Sequence, residues 1–177
     1  MFVRDFIHVA RPFQSVAPRF LGDPRWLGPI VAEAVCEAAR VSRALVGSPD
    51  CTKDADASVV SLPGVHLDRG AVRSRAWGLV VPISWEDAIE HTWFPPISGD
   101  LEIAPIGLSA SELVLNASYR STETLTLLGD DQIDGPEPEP STAHPDLVHR
   151  VVETGVRAFL QNLAAELETE PTDGPGR

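Results

Sequence analysis

The chain has 177 residues, is 43% apolar and carries a formal net charge of -12 at pH 7. That length fits one domain with a core of its own. The acidic balance disfavours nucleic acid and anionic membranes as principal partners, because binding phosphate requires a basic face, and only Arg69, Arg73 and Arg75 form an obvious basic patch.

Phe2 to Val9 is aromatic and β-branched, with Val3, Ile7 and Val9 alternating against Arg4, Phe6 and His8. This predicts a strand with one buried face, ended by Arg11-Pro12. Phe13, Val16, Ala17 and Phe20 have helical spacing and predict a short helix up to Gly22, since a first turn tolerates proline. A longer helix is predicted from Leu27 to Val46, with Leu27, Val31, Ala34, Val35, Ala38, Val41 and Leu45 on one side and Gly47 as its C-cap.

Ser48 to Asp56 reads as a polar loop, with short strands at Ser58 to Leu62 or Val65 to Leu67 around Pro63-Gly64. From Arg73 to Trp85 the odd positions read Arg, Arg, Trp, Leu, Val, Ile, Trp, which predicts one long strand with a single inward face. Pro82 predicts an edge or a bulge in it. Asp87 to Phe94 reads as a short strand or a turn, and Ser98-Gly99-Asp100 as a tight turn. Leu101, Ile103 and Pro105 then pair with Leu113, Leu115, Ala117 and Tyr119 in an antiparallel hairpin.

Residues 129–145 are acidic and proline-rich and read as a loop with no core of its own. The last element is a helix from His144 to Glu168, in which Val148, Val152, Gly155, Phe159, Leu163 and Leu167 recur at steps of three and four. A lone helix cannot bury such a stripe, so the upstream strands must supply a sheet for it to lie on. The expected organisation is a single α+β domain over residues 1–168 with a flexible tail at 169–177.

Cys36 and Cys51 offer neither a disulfide framework nor a cysteine-rich metal site, which fits a reduced, cytoplasmic chain. No signal-peptide pattern opens the sequence and no apolar run approaches about 20 residues, so neither secretion by that route nor membrane insertion is expected.

Several phrases occur in a telling order: Phe6-Ile7-His8-Val9-Ala10-Arg11-Pro12, Val81-Pro82-Ile83-Ser84-Trp85, Phe94-Pro95, Gly99-Asp100-Leu101-Glu102-Ile103-Ala104-Pro105, Tyr119, and His149-Arg150-Val151-Val152-Glu153 with Phe159-Leu160. Together they resemble the START/Bet v 1-like superfamily (SRPBCC, polyketide cyclase/dehydrase-like), and within it an actinobacterial-type branch. The resemblance covers most of the chain and is carried by structural motifs. It implies a helix-grip fold, a curved antiparallel sheet wrapped around a long C-terminal helix, with two shorter helices after the first strand. The chain departs from the pattern at Arg120 to Leu128, where a proline-containing turn is expected.

Such folds commonly hold a cavity between sheet and helix. Its expected lining is Trp77, Leu79, Val81, Trp85, Leu101, Ile103, Leu113, Leu115 and Tyr119, facing Val152, Val156 and Phe159. The alternative is that the same side chains fill a core. Arg73 and Arg75, read on one strand face with Trp77, are candidates to bind a ligand carboxylate or enolate, against a solvent-reaching strand end paired to surface acids. Tyr119 either orients a ligand hydroxyl or is a core tyrosine with its hydroxyl at the rim.

Other constellations are weaker. His144, Asp146 and His149 are read as no metal site, because a five-residue histidine spacing presents the two rings poorly and no HExxH context accompanies it. His91 beside Glu90 and Glu86 reads as a solvated turn rather than an acid–base pair, and Asp130, Asp131 and Asp134 lack calcium-loop spacing. With no serine elbow, no phosphate-cradling glycine loop and Cys36 on an apolar helix face, hydrolase, kinase and dehydrogenase readings drop out. No catalytic residue and no cofactor is assigned.

The leading expectation is a monomer or homodimer unit that binds a small hydrophobic or amphipathic molecule between sheet and helix, as carrier, sensor or store. The first alternative is a polyketide cyclase or aromatase-like enzyme, with Arg73, Arg75 and Tyr119 guiding proton transfer. The second is a non-catalytic interaction protein with a filled core.

Overall fold

The computed structural model describes residues 1–46, 65–87, 94–120 and 145–169. The expectations for Ser48 to Asp56, Ser58 to Leu62, residues 88–93, 121–144 and 170–177, and with them Cys51, His91 and His144, lie outside those residues.

Alternation orients the first strand as predicted. β1 (Phe2–Val9) turns Val3 and Val9 into the core and leaves Phe2, Arg4, Phe6 and His8 exposed on its other side. α1 (Phe13–Leu21) starts after Pro12 and buries Val16, Ala17 and Phe20. A 3-10 turn at Pro24–Trp26, capped by the Asp23 carboxylate, leads into α2 (Leu27–Val46). β2 (Val65–Arg69), β3 (Arg73–Arg75), β4 (Gly78–Asp87), β5 (Ile97–Ile106), β6 (Ala110–Tyr119) and α3 (Pro145–Thr169) complete the described chain.

The strands form one antiparallel six-stranded sheet in the order β1-β6-β5-β4-β2, with β3 also pairing β4. α3 lies against β1 and α2, and Phe159 reaches across to Trp85 of β4 at a ring separation of 5.2 Å. The fold is α+β: a curved antiparallel sheet gripping a long C-terminal helix, with two shorter helices after the first strand.

Register shows why the core sits where it does. Leu79, Ile103, Leu113 and Ile7 are in line across four strands, and Val81, Leu101 and Leu115 form the next row. The residues of these rows on β4, β5 and β6 are buried in one cluster with Val152, Val156, Phe159, Leu160 and Leu163 of α3. Full burial of each large apolar side chain contributes about 1.5–3 kcal/mol, so this contact dominates the fold's stability. α3 is apolar over more than the predicted stripe, because Ala158, Leu160 and Ala164 are also buried.

Two expectations are corrected. The run from Arg73 to Trp85 is not one strand: Ala76 and Trp77 form a two-residue turn, and Arg75 pairs back onto Gly78. A Cβ at Gly78 would lie 2.1 Å from the Ile103 carbonyl oxygen, so the hairpin needs glycine there. Pairs opposite one another share a face, and Arg73 lies opposite Val80, so Arg73 and Arg75 stand on the outer face, away from α3. Second, Ser98-Gly99-Asp100 is strand rather than turn. Gly99 is required by close approach, since its Cβ would meet the Asn116 carbonyl oxygen at 2.2 Å. Pro82, expected at an edge or a bulge, falls at an irregularity of this kind, where residues 70–72 oppose only residues 81 and 82 of β4. It sits where the neighbouring strand is interrupted between Arg69 and Arg73, its carbonyl accepting from Gly70 N–H at 2.9 Å, and its missing N–H faces that break.

Candidate functional site

The sheet and α3 have two ends, and polar side chains distinguish them. At one end α1 lies against β5 and β6. The Arg11 guanidinium donates to the Leu167 carbonyl at 2.8 Å, satisfying a last-turn acceptor of α3, which has no basic residue of its own there. Ser111, fully buried, donates to the Arg11 carbonyl at 2.8 Å, and Ala10 N–H donates to Glu168 at 2.7 Å. Arg19 pairs with Glu166 at 3.3 Å and lies over the Trp26 ring.

At the other end Trp85, Ile97 and Tyr119 stand side by side on the inner face of β4, β5 and β6. Trp85 is 2% exposed and its indole N–H has no hydrogen-bond partner among the described residues, which costs roughly 1–3 kcal/mol when such a donor is buried. Tyr119 Oη lies 2.7 Å from His149 Nδ1, and His149 Nε2 lies 3.3 Å from Glu153 Oε1. His149 and Glu153 are four apart on α3 and therefore neighbours on one face. The tyrosine and imidazole rings are stacked, 24° from parallel. Burial first, and the Glu153 carboxylate second, push the Tyr119 phenol above its ordinary value. Phe94 packs beneath this turn of α3, its ring 2.9 Å from where a Cβ on Gly155 would stand.

A depression of about 620 Å³ opens at this end. Trp85, Ile97 and Tyr119 line it from the inner row. Ser84, Ser98 and Ser118, neighbours in register on the outer face, line it from the other side, with His66, Glu86 and Arg120 at its margins.

The predicted lining residues thus divide. Leu79, Val81, Leu101, Ile103, Leu113, Leu115, Val152, Val156 and Phe159 point between sheet and helix and are packed together there. Trp85 and Tyr119 belong to the same cluster and also reach the depression. Trp77, at the hairpin tip, is 47% exposed, and Arg73 pairs with Asp100 at 2.7 Å on the outer face. Arg75 is exposed there too, and Arg69 donates instead to the Phe20 carbonyl, so the three arginines make no common basic patch.

The sequence reading weighed His149 only as a metal ligand and did not single out Glu153 as a functional candidate. Their spacing was a visible signal, but their link to Tyr119 spans 30 residues. Among the described residues no group of three His, Cys, Asp or Glu side chains is placed to hold a metal ion, and no helix is long and apolar enough to cross a membrane.

No protein-family model matches the chain, and no curated protein matches it. Among solved structures it is similar to a conserved protein from Geobacillus kaustophilus, at 10% identity over 94% of this chain and 95% of that one, with a TM-score of 0.49. It is also similar to the Zhui aromatase/cyclase from Streptomyces sp. R1128, at 17% identity over 95% and 93% of the two chains and a TM-score of 0.37. Ara h 8.0201 is similar at 8% identity over 96% and 99%, with a TM-score of 0.35. The fold assignment rests on strand order and helix placement in this chain.

Proposed function

We propose that the protein binds a small hydrophobic or amphipathic molecule in the depression at the Trp85–Tyr119 end of the sheet, beside the packed space between sheet and helix, as a carrier, sensor or store. The observation that carries this reading is the depression lined by Trp85, Ile97 and Tyr119, beside which the buried Trp85 indole N–H has no partner among the described residues. A buried donor without an acceptor is a cost that a ligand oxygen would remove. The packed rows around Leu101 and Leu115 confine the ligand to this end, with its apolar part against Trp85 and Ile97.

A second reading, an enzyme of the polyketide cyclase kind, is favoured by the Tyr119–His149–Glu153 chain, since a phenol backed by an imidazole and a carboxylate is equipped to move a proton. The test is native mass spectrometry of freshly purified protein, followed by extraction and identification of anything released. The binding reading expects a stoichiometric apolar adduct that is weakened in Trp85→Phe. An unchanged apo mass across a panel of lipids and aromatic polyketides would overturn it in favour of an interaction protein with a filled core.

A further inference from the structure

The face of the sheet turned away from α3 carries a second depression, of about 670 Å³. Register builds it from two adjacent rows. Phe2, Ser118 and Ser98 stand opposite one another on β1, β6 and β5, and Arg4, Asn116 and Asp100 form the next row. Glu102, two residues further along β5, completes the lining. All of these side chains are at least partly exposed.

Charge decides what such a surface can hold. Asp100 and Glu102 supply two carboxylates, and they are matched by the guanidinium groups of Arg4 and of Arg73, which reaches Asp100 from β3 at 2.7 Å. An anion entering here meets the carboxylates and a cation meets the guanidinium groups, whereas a neutral ligand meets neither repulsion. The acceptors are already oriented. Asn116 Nδ2 donates to Glu102 Oε1 at 3.2 Å and Arg73 donates to Asp100 Oδ1, which leaves the second oxygen of each carboxylate to accept from a ligand. Arg4 has no side-chain hydrogen bond or ion pair among the described residues, so its N–H donors are not used by the described fold. Phe2 adds an aromatic ring on the β1 side, 71% exposed.

We propose that this depression binds a neutral sugar. A pyranose carries adjacent hydroxyls that each donate and accept, and it has a face made of C–H bonds. Carboxylates accept from those hydroxyls, guanidinium and serine groups donate to them, and an exposed aromatic ring covers the C–H face. The depression brings these groups together, while a purely apolar ligand would gain little beyond the Phe2 ring. It is distinct from the depression at Trp85 and Tyr119, with which it shares Ser98 and Ser118, so a sugar can occupy it whether or not the other is filled.

The test is saturation-transfer NMR and amide-shift titration of the full chain with glucose, galactose, mannose, xylose and N-acetylglucosamine. Inorganic phosphate and methylammonium serve as charged competitors. At least one sugar is expected to bind in the millimolar range and to shift the amides of Ser98, Asp100 and Asn116, with neither competitor displacing it. Arg4→Met keeps the aliphatic stem and removes the donors, and should weaken that sugar about tenfold. Phe2→Ala should weaken it severalfold. Both side chains are exposed, and circular dichroism with unfolding midpoints establishes that the variants keep the fold. If no sugar of the panel binds, or if either variant leaves the binding intact, the sugar site is overturned. Displacement by phosphate or by methylammonium overturns it in favour of an ion site.

Discussion

The two ends of the sheet arrange their polar groups differently. Where α1 and the last turn of α3 meet, Arg11 donates to the Leu167 carbonyl, Ser111 to the Arg11 carbonyl and Ala10 N–H to Glu168, hydrogen bonds that tie the first strand's exit to the end of the helix. At the Trp85–Tyr119 end an indole donor has no partner among the described residues, and a buried tyrosine meets a half-exposed histidine and glutamate of α3 beside a depression. A polar group whose partners are all internal contributes to stability. One left without a partner lowers stability and is available to something else. An orphaned donor does not by itself separate the ends, because the Trp26 indole N–H beside α1 also lacks a partner among the described residues; what sets the second end apart is the Tyr119, His149 and Glu153 set next to a depression.

The comparison presupposes a close-packed centre between the ends, which is where the largest effect is expected. Phe159→Ala should cost about 3–5 kcal/mol in urea unfolding, because the ring is fully buried against Trp85. A loss below about 1.5 kcal/mol would mean that the interior relaxes around the gap and that the two ends are not separated by a rigid core.

Next in size is the Arg11 end. Arg11→Ala removes a charged donor from the Leu167 carbonyl and should cost about 1.5–3 kcal/mol, with no change in the affinity of an apolar probe. A loss of affinity there would erase the functional distinction between the ends.

A smaller effect is expected at alkaline pH. Tyr119 is the only tyrosine, so phenolate absorbance reports it alone. Its folded value lies above the ordinary 10.0, so the folded state holds the proton more tightly than the unfolded chain. The stability this contributes is complete below pH 10.0 and is lost as pH rises through the folded value. Wild type should therefore lose stability above pH 10.0 more steeply than Tyr119→Phe, and parallel profiles would show that the phenol is no better shielded than in the unfolded chain.

The smallest stability effect belongs to Trp85→Phe. The smaller ring leaves a cavity, but it also removes an unpartnered donor, and the two terms offset to within about 1 kcal/mol. A large destabilisation would show that the indole N–H is engaged in the fold and not available to a ligand. Little stability change with a marked loss of binding would sharpen the contrast with Arg11.

Much of the architecture was legible because periodicity is a local signal. The alternation of Val3, Ile7 and Val9 and the spacing from Val148 to Leu167 each follow from one element having one face to bury. The same signal misled at Arg73 to Trp85, where odd-numbered residues continue across a hairpin turn without betraying the change of face. It also misled at Gly99, whose role is to admit the backbone of β6 and not to turn the chain.

The candidate site was legible only in part. Trp85 and Tyr119 were identifiable as inward-facing residues at strand ends, whereas neither the orphaned indole N–H nor the Tyr119–His149 contact leaves a trace in local sequence. The amino-acid sequence by itself determined the α+β class, most of the strand and helix segments, and which faces are apolar, because propensity and periodicity act within a few residues. Only the tertiary structure decided which polar groups found partners. Those partners lie 156 residues apart for Arg11 and Leu167, and 30 for Tyr119 and His149, and such pairings exist only once sheet register and helix placement have set every distance at once.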